Sequence, residues 1–563
     1  MAFLLGWISM DGRPLDPEIW GRMMRRARAR TLFAGTDVVL PFARLYAAAQ
    51  RELEASPLQR MRDTAGAWQY LLRDSAGAHK SGADDLYTGV SVQMSESMPH
   101  AFLQRDLGGQ RALYYAEVDQ SLCFASGAHV LQAHPRISST LHEETIAAYL
   151  AGAPPPEQAS IFRDIAALAP GAELKIEQGS IHRSRRYLRP DDSWRPLRDV
   201  EIVEQTRVLI ENAVVHACED TSRLGISLSA GLDSSTVASI AACQNSTLIA
   251  VTYGFERWPE LDERKEVVAF ARSSGIDLRE IVADDHGTLV DPERIVSNPD
   301  FPCTTPFRRL ADLAMDRVRQ AGASVYLDGN LADHLYANPR DAWSDAIRMR
   351  RIGQFLAELG RVIKLYGKTT ALLHPGWRRL ASRVLRRPHT QGLLAGRLRE
   401  PWRKQLRERL AAEQAKYRDF PRPEQAAFAL DGTAANIVPR EQFHAARKGL
   451  ELRSPFRDPA LMRWMLSLPA DLSYRDGHCK WLQRASMQNK LPPEVCWRPK
   501  TLSPQPFFTA SLQTATNHIH ELRMAAREWL EAMVEPGEST ITGANAFIPW
   551  LDAELGLWIT QDD

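Results

Sequence analysis

The sequence predicts an α/β protein in two parts. A β-rich α+β unit spans residues 1–190. A doubly wound parallel-sheet unit with helical additions spans 200–563. Three observations carry this. Leu224–Leu228 is an apolar-rich run that runs into the small-residue turn Ser229-Ala230-Gly231-Leu232-Asp233-Ser234-Ser235 and then an Ala-rich stretch, the order strand, turn, helix. Ser324–Asp333 repeats that order. In the front part, Tyr114–Tyr115 and Leu122–Ser126 are β-rich runs close enough in sequence to form an antiparallel hairpin.

In chain order, Phe3–Ile8 is expected as the first strand. Arg105–Arg111 makes a turn into the hairpin, Leu141–Leu150 a short helix with Glu143 and Glu144 in its first turn, and Pro170-Gly171 a turn into Glu173–Ile176. Val203–Cys218 is an amphipathic helix leading to the Ser229–Ser235 turn. Thr247–Gly254 is the next strand, and Leu261–Arg264 opens the helix after it. In a doubly wound sheet the carboxyl end of that strand lies beside the turn, so backbone groups of Val251, Thr252 and Tyr253 are candidates for reading a purine.

The apolar and charged fractions, 44% and 25%, are those of a globular protein that is not embedded in a membrane. No apolar run approaches a membrane span and no signal peptide is visible, so a cytoplasmic protein is expected. Six scattered cysteines without a CxxC pair read as reduced thiols. The net charge of +1 hides an asymmetry: between Arg348 and Arg422 stand 16 Arg and 4 Lys against 5 acidic residues. This basic, mostly helical insertion, about 345–425, lacks the aromatic interleaving of a nucleic-acid surface, and no nucleic-acid partner is expected. Arginines on helix faces are ordinarily solvated, and a peptide substrate is the better-suited partner.

The Ser229–Ser235 turn brings backbone N–H groups, a helix N-terminus and three hydroxyls together as an anion cradle. It has no Lys of the Walker kind. Its Asp233 would repel phosphate unless it holds a divalent cation that bridges to phosphate oxygens. Taken alone, the same residues also make an ordinary Ser/Gly turn capped by Asp, and Asp333 alone also reads as a helix cap.

The turn resembles the SGGLDSS pyrophosphate loop of ATP pyrophosphatases in the form used by class B asparagine synthetases, with Ala230 in place of the first Gly. Leu327-Asp328-Gly329-Asn330-Leu331-Ala332-Asp333-His334 resembles the family's LSGxGxDE, departing at Asp328, Leu331 and His334. Gly449–Asp458 resembles GVExRxPFxD, followed by Lys480-Trp481-Leu482-Gln483-Arg484, Leu491–Val495 and Arg498-Pro499-Lys500. The front unit resembles the back half of a glutaminase domain in Arg105–Tyr115, Phe124-Ala125-Ser126 and Leu168–Leu174, while about 30–95 resembles nothing in it.

The resemblance implies ATP and Mg²⁺. Asp233 and Asp333 would hold the metal, Leu228, Ser229, Gly231, Asp233, Ser234, Ser235, Val251, Thr252, Tyr253, Asp328 and Gly329 the nucleotide, and Lys500 would be the catalytic cation. Active glutaminases of the family begin Met-Cys-Gly, whereas position 2 here is Ala2, so the domain is expected to be a degenerate scaffold. The implied chemistry is adenylation of a carboxylate with release of pyrophosphate, then attack by an amine of the substrate itself. Two branches fit: lasso peptide cyclases and β-lactam synthetases. The latter resemble one another in a Tyr where this chain has Asn330, and the 118-residue interval from Asp333 to Glu451 is long, both favouring the cyclase. An ammonia-dependent asparagine synthetase and a non-catalytic ATP-binding scaffold are the alternatives. A cyclase would take a leader-processed precursor peptide, with a leader peptidase or leader-recognition protein as partner. His334, Glu441 and Glu451 are the candidate general bases.

Overall fold

The computed structural model describes residues 2–49, 57–62, 68–75, 89–244, 246–336, 352–372, 394–475, 478–498, 504–537 and 543–561, with Trp343, Ala346, Ile347, Arg350, Trp377 and Ile541 between them.

Period-2 patterning builds the front unit. Ala2–Ser9 is a strand with Ala43–Ala49 on one side and Ser121–Ala125 on the other, both antiparallel. Its even residues Ala2, Leu4 and Ile8 face a second six-stranded sheet containing Gly89–Ser95, Ala101–Arg105 and Ala172–Glu177. Its odd residues Phe3, Leu5 and Trp7 face helices. The expected hairpin pairs Tyr114–Val118 with Ser121–Ala125, the short helix is Glu143–Leu150, and Gly171 turns the chain with φ +74°. The helices against the odd face include Pro17–Ala29 and Glu143–Leu150, but also residues from the far end of the chain, among them Phe508, Leu512, Trp550 and Leu555. The C-terminal helices thus complete the front unit's core.

The second unit holds a five-stranded, all-parallel sheet. Its spatial order is Asp277–Val282, Thr247–Gly254, Arg223–Ser227, Val325–Leu327, Glu451–Arg453. One face, with Leu224, Ile226, Leu248 and Val325, is covered by the helices Asp199–Cys218, Leu232–Ala241 and Arg264–Ser273. The other, with Ile249, Val251, Tyr326 and Leu452, is covered by Arg308–Gln320 and Thr433–Arg447. The chain order reverses between Arg223–Ser227 and Val325–Leu327, and ligands of such sheets bind outside the strand ends at that switch.

In the basic segment, of which 348–349, 351, 373–376 and 378–393 lie outside the described residues, Arg350, Arg407 and Arg418 are exposed as expected, but three other arginines are not simply solvated. Arg397 pairs with Asp552 at 2.7 Å, Arg409 with Glu413 at 2.8 Å and Glu144 at 3.2 Å, and Arg422, buried, donates to Leu335 O at 3.1 Å. These charges join the segment to distant parts of the chain. All six cysteines are free, and no helix among the described residues is long and apolar enough to cross a membrane.

Candidate active site

The two loops with Asp233 and Asp333 leave the carboxyl ends of Arg223–Ser227 and Val325–Leu327, the adjacent strands at the switch. Gly231 is the N-cap of Leu232–Ala241. The hydroxyls brace the turn: Ser229 and Ser234 Oγ lie 2.9 Å apart, Gly231 N–H donates to Ser229 Oγ at 3.2 Å, and Ser235 Oγ donates to Ser229 O at 3.3 Å. Ala230 N–H donates to the Glu263 carboxylate at 3.0 Å. A carboxylate already rests on the cradle, so its backbone presents donors to an anion. Ala230 is not among the described residues with positive φ, so its methyl group costs no backbone strain.

Asp233 and Asp333 converge on one ammonium. Lys480 Nζ lies 2.7 Å from Asp333 Oδ1 and pairs more tightly still with Asp233 Oδ2. Burial pushes Asp233 up and Asp333 adds to it, while Lys480 opposes both. Burial alone would push Lys480 down, but the two carboxylates outweigh it and hold the ammonium above its ordinary value. Asp233 Oδ1 is a buried oxygen with no hydrogen-bond partner. Lys480 itself takes a left-handed backbone, φ +57°, as N-cap of Trp481–Met487, which aims its side chain between the loops.

Gly329 brings the two loops close together: a Cβ there would crowd Asp233 Cβ at 3.1 Å. Leu331, standing where the family pattern has its second Gly, keeps φ +78° and is buried at 2% exposure. The Asp328 side chain is turned into the protein. Its carboxylate, raised to about 6 by burial, accepts from Asn330 N–H at 3.1 Å. Val251 is spent in the ladder, its carbonyl accepting from Leu228 N–H at 2.8 Å. The pairing with the central strand ends there, so on that side Tyr253 is the first of the three nominated residues beyond it, while Thr252 and Tyr253 remain in register with Asp277–Val282.

Lys500 lies outside the described residues. Arg498, two residues before it, reaches Glu263 at 3.5 Å and Glu266 at 3.9 Å, beside the cradle. Two of the candidate bases are already engaged by partners. Glu441 is bound by Thr305 Oγ1 at 2.7 Å and by Arg308, and Glu451 lies between Arg111 at 2.7 Å and Arg453 at 3.1 Å. The His334 ring packs on Phe428, centroids 4.7 Å apart. Lys480 is the residue that motif reading passed over. Its only sequence signal is its place in the Lys480–Arg484 run.

The set fits a metal carried on phosphates. Among the described residues no three His, Cys, Asp or Glu side chains gather as a metal cage. A pair of carboxylates beside an anion cradle is what Mg²⁺ needs when phosphate oxygens and water supply its other ligands. The cation already between Asp233 and Asp333 shows that the pair accepts positive charge.

A family model described as asparagine synthase matches residues 205–539, and one described as a glutamine amidotransferase domain matches 92–188. The chain is 22% identical over 462 residues to asparagine synthetase [glutamine-hydrolyzing] 1 of Bacillus subtilis, covering 77% of this chain and 68% of that one. It is 26% identical over 379 residues to a putative asparagine synthetase of Mycobacterium bovis, covering 62% of this chain and 56% of that one. A stretch of 87 residues, 14% of this chain and 16% of the other, is 40% identical to the asparagine synthetase of Gallus gallus. The asparagine synthase match spans more than half of the sequence, over the sheet, both loops and Lys480: the chain belongs to the asparagine synthase family of ATP-dependent amide ligases.

Proposed function

We propose that this ligase closes a ring within its substrate: it adenylates a side-chain carboxylate of a leader-processed peptide, and the peptide's own N-terminal amine displaces AMP to form a lasso macrolactam. One observation carries the reading. The activation site keeps its cradle and both carboxylates, while the front unit has no usable thiolate. Cys123, the one cysteine in residues 1–190, is buried on a central strand and burial pushes its thiol far up. Ala2, where the family's nucleophile would stand, is 3% exposed and paired with Ala49. Ammonia from glutamine is then not the amine.

Asp233 and Asp333 would hold Mg²⁺, which when bound offsets phosphate charge and aids departure of pyrophosphate. The Ser229–Ser235 backbone would bind the leaving pyrophosphate through its N–H groups. Lys480 would hold the metal's place between the carboxylates until Mg²⁺ enters, and Lys500 would supply the charge that stabilises attack on the activated carboxyl. Asn330, in place of Tyr, and the long interval before Glu451 support the cyclase over the β-lactam reading. Within that interval the helix Ile352–Leu372 exposes Ile352, Leu356 and Ile363, apolar side chains in a basic segment, a surface suited to a peptide.

The test is mass spectrometry of a leader-free precursor with enzyme and Mg²⁺–ATP, with the nucleotides separated in parallel. Loss of one water, an N-terminus blocked to sequencing, and AMP with pyrophosphate are expected. All should vanish in Asp233→Asn. Efficient conversion of free aspartate and ammonia to asparagine with no action on peptides would overturn the cyclase. ADP and phosphate as products would overturn the adenylation chemistry too.

A further inference from the structure

A cavity lies where the two units meet, lined by Arg105, Tyr114 and Ser160 from the front unit and by Asp300, Phe301 and Arg440 from the second. Its polar groups are unevenly employed. Asp300 is occupied, its carboxylate taking Arg30 Nη1 at 2.7 Å and His129 N–H at 2.9 Å. Ser160 Oγ donates to Phe162 O at 3.0 Å. Arg105 donates Nη1 to Leu168 O at 2.6 Å and Nη2 to Gly109 O at 3.1 Å, carbonyls that satisfy hydrogens without neutralising the charge. The Arg440 guanidinium lies 3.4 Å over the Phe301 ring, and it makes no hydrogen bond or ion pair with any described side chain. The Tyr114 hydroxyl has no hydrogen-bond partner among the described residues either.

Such an arrangement is costly when empty of anions. Burial depresses both guanidiniums to about 10 and pushes the Tyr114 phenol up to about 12. Arg440 is half-buried and without an ion-pair partner among the described residues, and Arg105 is buried with its Nε unpartnered, an arrangement proteins avoid. Asp106, next to Arg105, is raised to about 6 by burial but keeps its charge at neutral pH and so offsets Arg105. With Asp300 offset by Arg30 and Arg105 by Asp106, the wall carries an excess of about one positive charge, that of Arg440, which suits a monoanion.

We propose that this cavity binds a carboxylate, held in the forks of Arg440 and Arg105 with the Tyr114 hydroxyl as a third donor. Planar guanidinium forks match the two oxygens of a carboxylate better than a spherical ion. The donors come from both units: Arg105 ends a strand of the front sandwich and Arg440 sits on the Thr433–Arg447 helix. Occupancy therefore ties the units together. The carboxylate is either a free small acid or the end or side chain of a peptide.

The experiment measures thermal unfolding of the full chain at constant ionic strength while sodium acetate replaces sodium chloride. The wild type should show a saturable rise in midpoint with acetate. Arg440→Met, which breaks no hydrogen bond, should melt higher than the wild type in chloride and show no acetate response. Tyr114→Phe should need several-fold more acetate for half the rise. Peptides with free and amidated C-termini separate the sources. A rise with the free form alone, stronger than with acetate, assigns a peptide carboxylate, and a rise with acetate that neither peptide improves assigns a free acid. Equal responses in wild type and Arg440→Met, chloride acting as well as acetate, or no response to any carboxylate would overturn the proposal.

Discussion

Replacing Lys480 by Met removes the one charge that joins the two carboxylate loops. Its Nζ is 2.7 Å from Asp333 and closer to Asp233, with only 14% of the side chain exposed. At an effective dielectric near 20, each pairing is worth about 6 kcal/mol gross. Desolvation cancels much of that, and the 56% exposure of Asp333 screens its share. A net loss of about 2–4 kcal/mol follows, because Asp233 is left without a counter-ion. Spread over the about 360 residues of the second unit at about 2.1 cal/mol/K each, 3 kcal/mol shifts the midpoint by about 4 °C. Met keeps the side chain's length and the left-handed backbone, so only the charge is tested. The assay is thermal unfolding of both proteins in chelator and in rising Mg²⁺. Without metal the variant should melt lower. With Mg²⁺ it should recover more than the wild type gains, because the metal then enters a site no longer filled by an ammonium. Identical Mg²⁺ responses in the two proteins would refute the idea that Lys480 holds the metal's place.

Three further outcomes follow from particular residues. Incubation with glutamine should release no glutamate above background, since Cys123 is buried and its thiol is pushed up; measurable release would mean another nucleophile. Glu554 is buried with Oε2 unpartnered, and burial lifts its carboxyl from 4.5 to about 7. The folded state therefore binds more protons than the unfolded one between those values, and stability falls by about 3 kcal/mol from pH 4.5 to 7. Glu554→Gln should stabilise the protein at pH 8 and not at pH 4.5, read by calorimetry at both. At Leu331 both Ala and Gly forfeit the packing, but only Gly relieves φ +78°; chemical denaturation should find Leu331→Gly more stable than Leu331→Ala by about 1 kcal/mol, against the usual order.

The parallel sheet was legible because each strand is punctuated by a small-residue turn and a helix start. Thr247–Gly254 emerges with the bounds read from its apolar run. The pairing order was not, because nothing local says that Glu451–Arg453 lies beside Val325–Leu327. Lys480 was hidden for a related reason: a single Lys has no spacing partner, and a left-handed backbone at a non-glycine residue leaves no mark in the sequence. Leu331 conceals the same geometry under a side chain that suggests helix. Counting charge along 348–422 could not show that Arg397 and Arg409 are paired, because their partners Asp552 and Glu144 are far away in sequence. The strand Leu58–Arg62 escaped notice because four of its five residues face solvent and give no alternation.

The front unit is tied to the second by a small set of buried contacts. Its turn at Arg105–Arg111 enters the second unit. Arg111 donates to Glu451, Gln442 and Leu452 O at 2.7, 2.9 and 3.1 Å, and Gln110 Oε1 accepts from Ser454 N–H at 3.2 Å. Gly108 O accepts from Arg457 at 3.1 Å, so close that a Cβ on Gly108 would meet Arg457 O at 2.3 Å. From there the connection runs on: Arg457 reaches Asn330 Oδ1 at 3.4 Å, and Asp328 N–H donates to Arg453 O at 3.2 Å. Those two residues begin the loop that carries Asp333. Removing the turn would leave Glu451 with one of its two arginines and Arg457 without its carbonyl, both at 1% exposure or less. Buried charges deprived of partners cost several kcal/mol. The front unit is thus needed by the second whatever amine the ligase uses, because the loop presenting Asp333 is braced from there.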